Sequence, residues 1–332
     1  MSKRVLKKIV NFFLTIVMLF FIAENYLLYQ RFPLFFSHDL ADYENASFDH
    51  LLVWENIPNM IQDDQGELNV SGQENVDSKK RRYIGNDVNN PSKKLLFLGC
   101  SYTFGLEISD EDTFVYKLSR TFSDWQFDNN GVSGYGTHQC RLLMEKLLSE
   151  HEPQKYDCVF YAFMNDHPHR VAYEYSYITD REDKDVGILP YADFSWNGKV
   201  NYHGLDVMFV PGADKFRSCS FINSLYSSVK SIRAQSPENR SAIFNAVLDD
   251  MLQVAKKYDV DLSVLILDDS EYSINQEIIN KGLNVYDIKL AELFNPEYHV
   301  DSSLEKHPNG LANDYWAEKI SEILKNKFNE KI

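Results

Sequence analysis

A serine of this sequence stands where a catalytic nucleophile could act. Ser101 follows Gly99 and Cys100 at the end of the short apolar run Leu95–Leu98. Such a run predicts a buried strand, because a parallel strand is covered on both faces and loses its polar alternation. Ligands of open α/β sheets bind at the carboxyl ends of the strands, and Gly99 lets the chain bend sharply there. An ordinary turn serine is the competing interpretation of this stretch taken alone.

Three later stretches carry residue types that complement a serine nucleophile. Gly134 ends the segment Asn-Gly-Val-Ser-Gly, which follows a predicted strand, and Asn165 follows the apolar stretch Cys158–Phe163. His307 stands in the segment His-Pro-Asn-Gly, just before the last predicted helix. Since imidazole titrates near neutral pH, His307 is the natural base for a serine hydroxyl.

In chain order, Ser101, Gly134, Asn165 and His307 resemble the four blocks of the SGNH/GDSL hydrolase family, which supply a serine, a glycine, an asparagine and a histidine. The resemblance covers about residues 94–327. It implies a serine esterase or a related O-acyltransferase. The implied fold is a three-layer α/β/α structure, similar to flavodoxin, whose central, mainly parallel sheet has five strands.

Three positions depart from the family pattern. The family usually has aspartate before the serine, glycine before the asparagine and aspartate three residues before the histidine, and here these positions hold Cys100, Met164 and Leu304. The carboxylate that should orient the imidazole is therefore expected elsewhere. Glu305 is the first candidate, because an acid two residues before the histidine can reach back across a tight turn. Asp301 is the alternative.

The expected reaction is acyl transfer through an acyl-enzyme. Ser101 would attack an ester carbonyl, and His307 would take and return the proton. The expected oxyanion donors are the backbone N–H groups of Ser101 and Gly134 and the side-chain amide of Asn165. A rival interpretation is a catalytically inactive SGNH-fold protein that binds or assembles glycans, and Leu304 at the usual aspartate position is its support.

Strands and helices alternate after residue 93, which predicts a parallel sheet with helices on both faces. The predicted strands are Leu95–Leu98, Trp125–Asp128, Cys158–Phe163, Leu262–Leu267 and Val285–Ile288. The predicted helices are Asp110–Phe122, Thr137–Glu150, Phe221–Ala234, Asn239–Tyr258, Tyr272–Lys281 and Gly310–Phe328.

An aromatic-rich stretch, at about residues 167–218, interrupts this alternation and is predicted to be an insertion over the carboxyl edge of the sheet. Trp196–Lys199 has the chemistry of a hairpin turn. The insertion's aromatic residues could stack on sugar rings, or they could form a small core of the insertion itself. They are Tyr173, Tyr175, Tyr177, Tyr191, Trp196 and Tyr202. The expected substrate is an ester-bearing small molecule or an O-acylated surface glycan.

Residues 1–31 predict a basic cytoplasmic tip and a transmembrane anchor. The apolar stretch Ile9–Tyr29 would span roughly 30 Å as a helix, enough to cross a bilayer core. Four basic residues before it orient the amino end towards the cytoplasm. A cleaved signal peptide is the competing interpretation. Either one places the rest of the chain outside the cytoplasm, on the periplasmic side in a bacterium.

The remaining boundaries follow from composition. Residues 32–92 are predicted to be a polar stalk or edge segment, and residues 93–330 the SGNH-type catalytic domain. The net charge of −15 argues against nucleic-acid binding. The four cysteines form no metal-ligand spacing and no phosphate-binding glycine loop is present, so neither a metal nor a cofactor is expected. A disulfide between Cys140 and Cys219 stays open.

Overall fold

The computed structural model of the protein describes residues 12–16, 46–49, 53–56, 61–62, 68–69, 74–85, 87–150, 156–171, 191–194, 200–203, 236–301 and 306–328. Its strands are β1 (Ala46–Asp49), β2 (Val53–Asn56), β3 (Ile61–Gln62), β4 (Leu68–Asn69), β5 (Lys94–Gly99), β6 (Gln126–Gly131), β7 (Cys158–Phe163), β8 (Tyr191–Phe194), β9 (Val200–His203), β10 (Asp261–Ile266) and β11 (Asn284–Asp287). After residue 100 its helices are α1 (Ser101–Phe104), α2 (Phe114–Thr121), α3 (Thr137–Glu150), α4 (His167–Val171), α5 (Pro237–Lys257), α6 (Gln276–Asn280) and α7 (Gly310–Phe328), with 3₁₀ turns at Asp110–Asp112 and Pro296–Tyr298.

The central sheet has five strands in the order β11-β10-β7-β5-β6. Every pairing within it is parallel. The predicted five-stranded parallel sheet is therefore confirmed, with each strand within two residues of its predicted start. β5, which carries Ser101 at its carboxyl end, lies between β6 and β7, so the loops that follow these three strands are neighbours.

Helices cover both faces of the sheet, because alternate side chains of each strand point to opposite faces. On one face, Leu96 and Leu98 of β5 join a core with α3 and α5 that includes Met144 and Phe244. On the other face, neighbouring positions of β5 join a core with α2 and α7 that includes Trp316. The strands are buried on both sides, and this explains their continuous apolar runs.

Two predicted helices are shorter in the structure. Thr113 has extended backbone and its side chain accepts a hydrogen bond from the N–H of Tyr116, so α2 begins after it and Asp110–Asp112 forms a separate 3₁₀ turn. Asn275 caps α6 in the same way, by accepting from the N–H of Glu277. The predicted helix Phe221–Ala234 lies outside the described residues.

Part of the chain before the sheet packs on the edge strand β6. The N–H of Arg82 donates to the carbonyl of Asn129 at 2.9 Å, and the side chain of Asn56 donates to the carbonyl of Gly131 at 3.0 Å. Arg81 forms an ion pair with the buried Asp128. This contact covers backbone groups that an exposed edge strand would leave unpaired.

Only part of the predicted anchor falls within the described residues. Residues 12–16 are helical, and Phe12 and Phe13 are exposed. Within the described ranges, no helix combines the length and apolar character that a bilayer crossing requires. The other residues of Ile9–Tyr29 lie outside those ranges.

The aromatic-rich insertion is described at α4 and at the antiparallel pair β8–β9, which confirms the predicted hairpin. Tyr202 stacks on the ring of His138 at 4.7 Å, and its hydroxyl donates to Asp250. Small apolar residues of α4, β8 and α5 form a core beside it. Tyr202 thus belongs to the insertion's own core. Tyr173, Tyr175, Tyr177 and Trp196 lie outside the described residues, and Tyr191 is described only in its backbone.

Candidate active site

Ser101 begins α1 directly after β5, where the chain turns tightly. A Cβ atom at Gly99 would lie 2.0 Å from the Thr103 hydroxyl, so this turn requires glycine. The carbonyl of Ser101 accepts from the N–H of Gly105 at 2.8 Å, and Gly105 ends the helix with a φ of 79°. Ser101 is 5% exposed, which places its hydroxyl at the floor of the carboxyl edge.

The Gly134 loop lies against this turn. The N–H of Val132 donates to the carbonyl of Gly99 at 3.1 Å, which joins the loop after β6 to the end of β5. Gly134 has a φ of 80°, a left-handed conformation that favours glycine. The buried Arg170 donates to the carbonyl of Tyr135 at 2.8 Å and fixes the far side of the loop. Gly134 can therefore present a backbone N–H without a Cβ in the way.

Asn165 follows β7, and its amide orientation is fixed. Its Oδ1 accepts from the backbone N–H of Glu271 at 3.0 Å and from the Ser270 hydroxyl at 3.0 Å. A backbone N–H can only donate, so the atom facing it is the amide oxygen. Nδ2, the donor end, points away from Glu271 and Ser270. Nδ2 is therefore the atom of this side chain that can donate to a substrate oxygen.

A buried carboxyl group supports Asn165 from behind. Asp268 accepts the backbone N–H of Asn165 at 3.0 and 3.2 Å. Burial, followed by the nearby carboxylate of Asp166, raises the pKa of Asp268 to about 7. No local pattern in the sequence links Asp268 to Asn165, because Asp268 follows a different strand, β10.

His307 is paired with a carboxylate from a distant part of the chain. Its Nδ1 lies 2.9 Å from Oε2 of Glu107, in the loop that follows α1. A carboxylate can only accept a hydrogen bond, so in this pair Nδ1 carries the proton and Nε2 is the basic nitrogen. His307 is 4% exposed, and its ring centroid lies 6.4 Å from that of Tyr102, the residue after Ser101. The imidazole thus reaches the nucleophile's turn.

The structure places Glu107 on the imidazole, whereas the sequence had pointed to two other acids. Glu305 lies outside the described residues, and Asp301 is exposed at the surface. Glu107 stands 200 residues from His307, so no spacing rule would pair them. The feature of the sequence that could have pointed to Glu107 is its position shortly after Ser101, in a loop that begins at Gly105.

The histidine loop is docked on the start of α2. The N–H of Val300 donates to the carbonyl of His307 at 2.9 Å. The side chain of Asn313, in the first turn of α7, accepts from the N–H of Phe114 at 3.0 Å, and Lys117 donates to the carbonyl of Gly310 at 3.0 Å. These bonds explain how a segment near the carboxyl terminus returns to the Ser101 turn.

Two of the three departures from the family pattern touch each other. The sulfur of Cys100 lies 3.1 Å from the sulfur of Met164, at the ends of neighbouring strands. Both residues are buried, and burial raises the pKa of the Cys100 thiol. Cys100 is therefore a packing residue beside Ser101, and not a thiolate.

The buried histidines beside the site serve packing. His167 is fully buried, and its Nδ1 is 2.6 Å from the Tyr161 hydroxyl. Burial lowers the pKa of His167 well below its usual value, so the ring is neutral. Among the residues that the structure describes, no three histidine, cysteine or acidic side chains are grouped so as to hold a metal ion.

No protein-family model matches the chain, and no curated protein matches it. Similar solved structures include a lipolytic protein of the G-D-S-L family from Veillonella parvula, at 10% identity and a TM-score of 0.39, covering 70% of this chain and 98% of that one. The esterase EstA from Pseudoalteromonas sp. shares 12% identity, with a TM-score of 0.37 and coverage of 71% and 100%. The SGNH-hydrolase family esterase AlinE4 shares 12%, with a TM-score of 0.36 and coverage of 72% and 98%. At these TM-scores the likeness carries no functional argument.

Proposed function

We propose that the protein is a serine ester hydrolase that works through an acyl-enzyme on Ser101. The observation that carries this proposal is the pair of His307 and Glu107, held 2.9 Å apart beside the Ser101 turn. A buried imidazole whose Nδ1 is bound by a carboxylate presents its basic Nε2 outwards, and this is the form that a general base needs.

In the first step, Nε2 of His307 takes the hydroxyl proton as Oγ of Ser101 bonds to the ester carbonyl carbon. The carbonyl oxygen becomes an oxyanion, which Nδ2 of Asn165 and the N–H groups of Ser101 and Gly134 stabilise. The imidazolium then gives its proton to the leaving alcohol oxygen as the carbon–oxygen bond breaks. Water repeats the sequence on the acyl-enzyme and releases the acid.

Glu107 contributes by stabilising the imidazolium and holding the productive tautomer. In a serine protease triad, loss of the corresponding carboxylate costs about 10⁴ in turnover. Leu304 was the sequence's support for an inactive glycan-binding protein, since it occupies the usual acid position. Glu107 supplies a carboxylate to the imidazole from another part of the chain, so Leu304 no longer argues for an inactive protein.

The substrate and the location are further parts of the proposal. The apolar Ile9–Tyr29 and the basic residues before it support a single-pass anchor with the catalytic domain outside the cytoplasm. That location and the aromatic-rich insertion favour an O-acylated surface glycan as the substrate. A sugar hydroxyl that replaces water in the second step would make the same site an O-acyltransferase.

The decisive experiment is active-site labelling. The full-length protein is treated with a fluorophosphonate probe and the modified peptide is identified by mass spectrometry. The expected result is a label on Ser101, none in Ser101→Ala, and p-nitrophenyl acetate hydrolysis that disappears in parallel. A folded wild-type protein that takes no label on Ser101 would exclude the acyl-enzyme.

The location is tested by extracting membranes with carbonate and by treating intact spheroplasts with protease. The anchored protein should stay with the membrane and lose its catalytic domain to the protease. A variant that begins at Arg31 should leave the membrane fraction. Protection of the domain in intact spheroplasts would contradict the proposed orientation.

A further inference from the structure

The loop that carries Glu107 is held by residues that come before the catalytic sheet. Glu107 has a φ of 68°, a left-handed conformation that side chains other than glycine rarely adopt. Its backbone N–H donates to a carboxylate oxygen of Glu74. Since the backbone conformation at a residue sets the direction of its Cα–Cβ bond, this bond helps to aim the Glu107 side chain at His307.

Arg82 anchors the same loop at three points. Its Nε lies 2.8 Å from Oδ1 of Asp110, and its Nη2 donates to the carbonyl of Ile108 at 2.8 Å. Its guanidinium group also lies 4.7 Å over the ring of Phe104, in the helix that begins with Ser101. Arg82 is 0% exposed, so these contacts are shielded from water. The loop between Ser101 and α2 is therefore built around an arginine from outside it.

The charged groups that hold the Glu107 loop are paired with one another. Arg82 lies 4.0 Å from the second carboxylate oxygen of Glu74, besides its bond to Asp110. Asn75 donates to Asp110 from both its side chain, at 2.6 Å, and its backbone, at 3.0 Å. One buried cation thus offsets two carboxylates, and Glu107 is left to pair with the imidazole.

We propose that two residues of the segment 74–82, Glu74 and Arg82, are a positioning element of the active site and set the loop that presents Glu107 to His307. The proposal rests on the proposed function and deepens it. The competing explanation is that this segment only covers the edge strand β6 and contributes stability alone. The two explanations differ in kinetics, because only a positioning element makes the effect of Glu74 on kcat depend on Glu107.

The test uses the full-length protein, with p-nitrophenyl acetate as the substrate. Glu74→Ala is expected to lower kcat about tenfold and to change KM less than twofold. Glu74→Gln keeps an oxygen that accepts the Glu107 N–H, so it should restore most of the rate. Lys79→Ala, which removes an exposed ion pair from the same segment, is the control and should match the wild type.

A double-mutant cycle separates positioning from general stability. In a Glu107→Gln background, Glu74→Ala should cause no further loss in kcat, because the group that it positions has lost its charge. A tenfold loss that persists in that background would overturn the proposal. Glu74→Asp withdraws the carboxylate by one methylene and replaces the alanine variant if that variant does not fold. An unchanged kcat in the folded variant would also overturn it.

The outcome is distinguishable from a failure of the proposed function. If the wild type takes the fluorophosphonate label on Ser101 and Glu74 variants behave as the wild type does, the esterase stands and the positioning element does not. If the wild type takes no label, the proposed function fails first, and the positioning proposal fails with it.

Discussion

Two regions flank the Ser101 turn and are held in different ways. On the base side, which contains His307, charged groups hold the loop that carries Glu107. On the oxyanion side, hydrogen bonds around a buried carboxyl group hold Asn165. Arg82 places a buried cation within ion-pair distance of two acids beside Glu107. Burial raises the pKa of Asp268 most, and the charged neighbours that raise it further are acids themselves, Asp166 and Asp269.

The difference follows from what each side must do. The base side must supply negative charge to an imidazolium. Burial raises the pKa values of Glu74 and Asp110, and the buried Arg82 opposes this rise. The oxyanion side must avoid negative charge, because a carboxylate behind Asn165 would oppose the charge that develops on the substrate. With a pKa of about 7, Asp268 is largely protonated below neutral pH.

The largest expected effect comes from removing the base itself. His307→Ala should lower kcat by about 10²–10⁴, since a positioned general base is worth that much. The measurement is the steady-state hydrolysis of p-nitrophenyl acetate by a variant whose melting temperature matches the wild type. A folded His307→Ala protein that retains more than about 1% of the activity would remove the imidazole from the mechanism.

The second prediction tests whether Glu107 supplies the negative charge that faces the His307 imidazole. Glu107→Gln should lose at least about 10² in kcat, because the amide neither stabilises the imidazolium nor selects the tautomer. Asp301→Asn and Glu305→Gln are the matched controls and should each lose less than about tenfold. A larger loss in Glu305→Gln than in Glu107→Gln would return the role to the acid that the sequence favoured.

The third prediction concerns the rigidity of the oxyanion side. Ser270→Ala removes one of the two bonds that hold Oδ1 of Asn165, so kcat should fall by about 3–10-fold with KM unchanged, less than the 10²–10³ expected for loss of a donor. In an Asn165→Ala background, Ser270→Ala should have no further effect. Equal losses in both backgrounds would mean that Ser270 acts independently of the amide.

Asp268→Asn is expected to have the smallest effect on activity. It should change the stability of the protein by a measurable amount. The folded protein binds the Asp268 proton more tightly than the unfolded chain does, because the pKa rises from 3.8 to about 7. Stability is therefore lost as pH rises from about 4 to about 7, by an amount on the order of a few kcal/mol. Asparagine keeps an acceptor for the N–H of Asn165 and does not ionise.

Thermal unfolding of both proteins at pH 5 and pH 8 checks this sign. The gain in melting temperature of Asp268→Asn over the wild type should be larger at pH 8 than at pH 5. Asp269→Asn, at an exposed neighbouring acid, should show no such pH dependence. A gain that is equal at the two pH values would mean that Asp268 does not titrate in this range.

Local sequence determined much of this fold. Cys158–Phe163, Thr137–Glu150 and Gly310–Phe328 have the predicted bounds, because apolar periodicity and end signals are local properties of the chain. The predicted helix from Asp110 was too long for a non-local reason. Asp110 binds Asn75 and Arg82, which come from an earlier segment of the chain. Thr113 then caps a helix that begins after it.

The residues of the candidate site also divide into those that local sequence predicts and those that it does not. Ser101, Gly134 and Asn165 could be chosen from sequence because each follows a strand, and the carboxyl ends of neighbouring parallel strands share one edge. The partner of His307 could not, because Glu107 meets it across 200 residues of chain.

Sequence by itself thus determined the strands, the order of the polar residues at their ends and the serine that stands at the centre. Only the tertiary structure decided which carboxylate faces the imidazole, and that Glu74 and Arg82 hold its loop. The physical reason is that strands and helices follow from the spacing of nearby residues. An ion pair depends on where whole segments pack, and its members can come from any part of the chain.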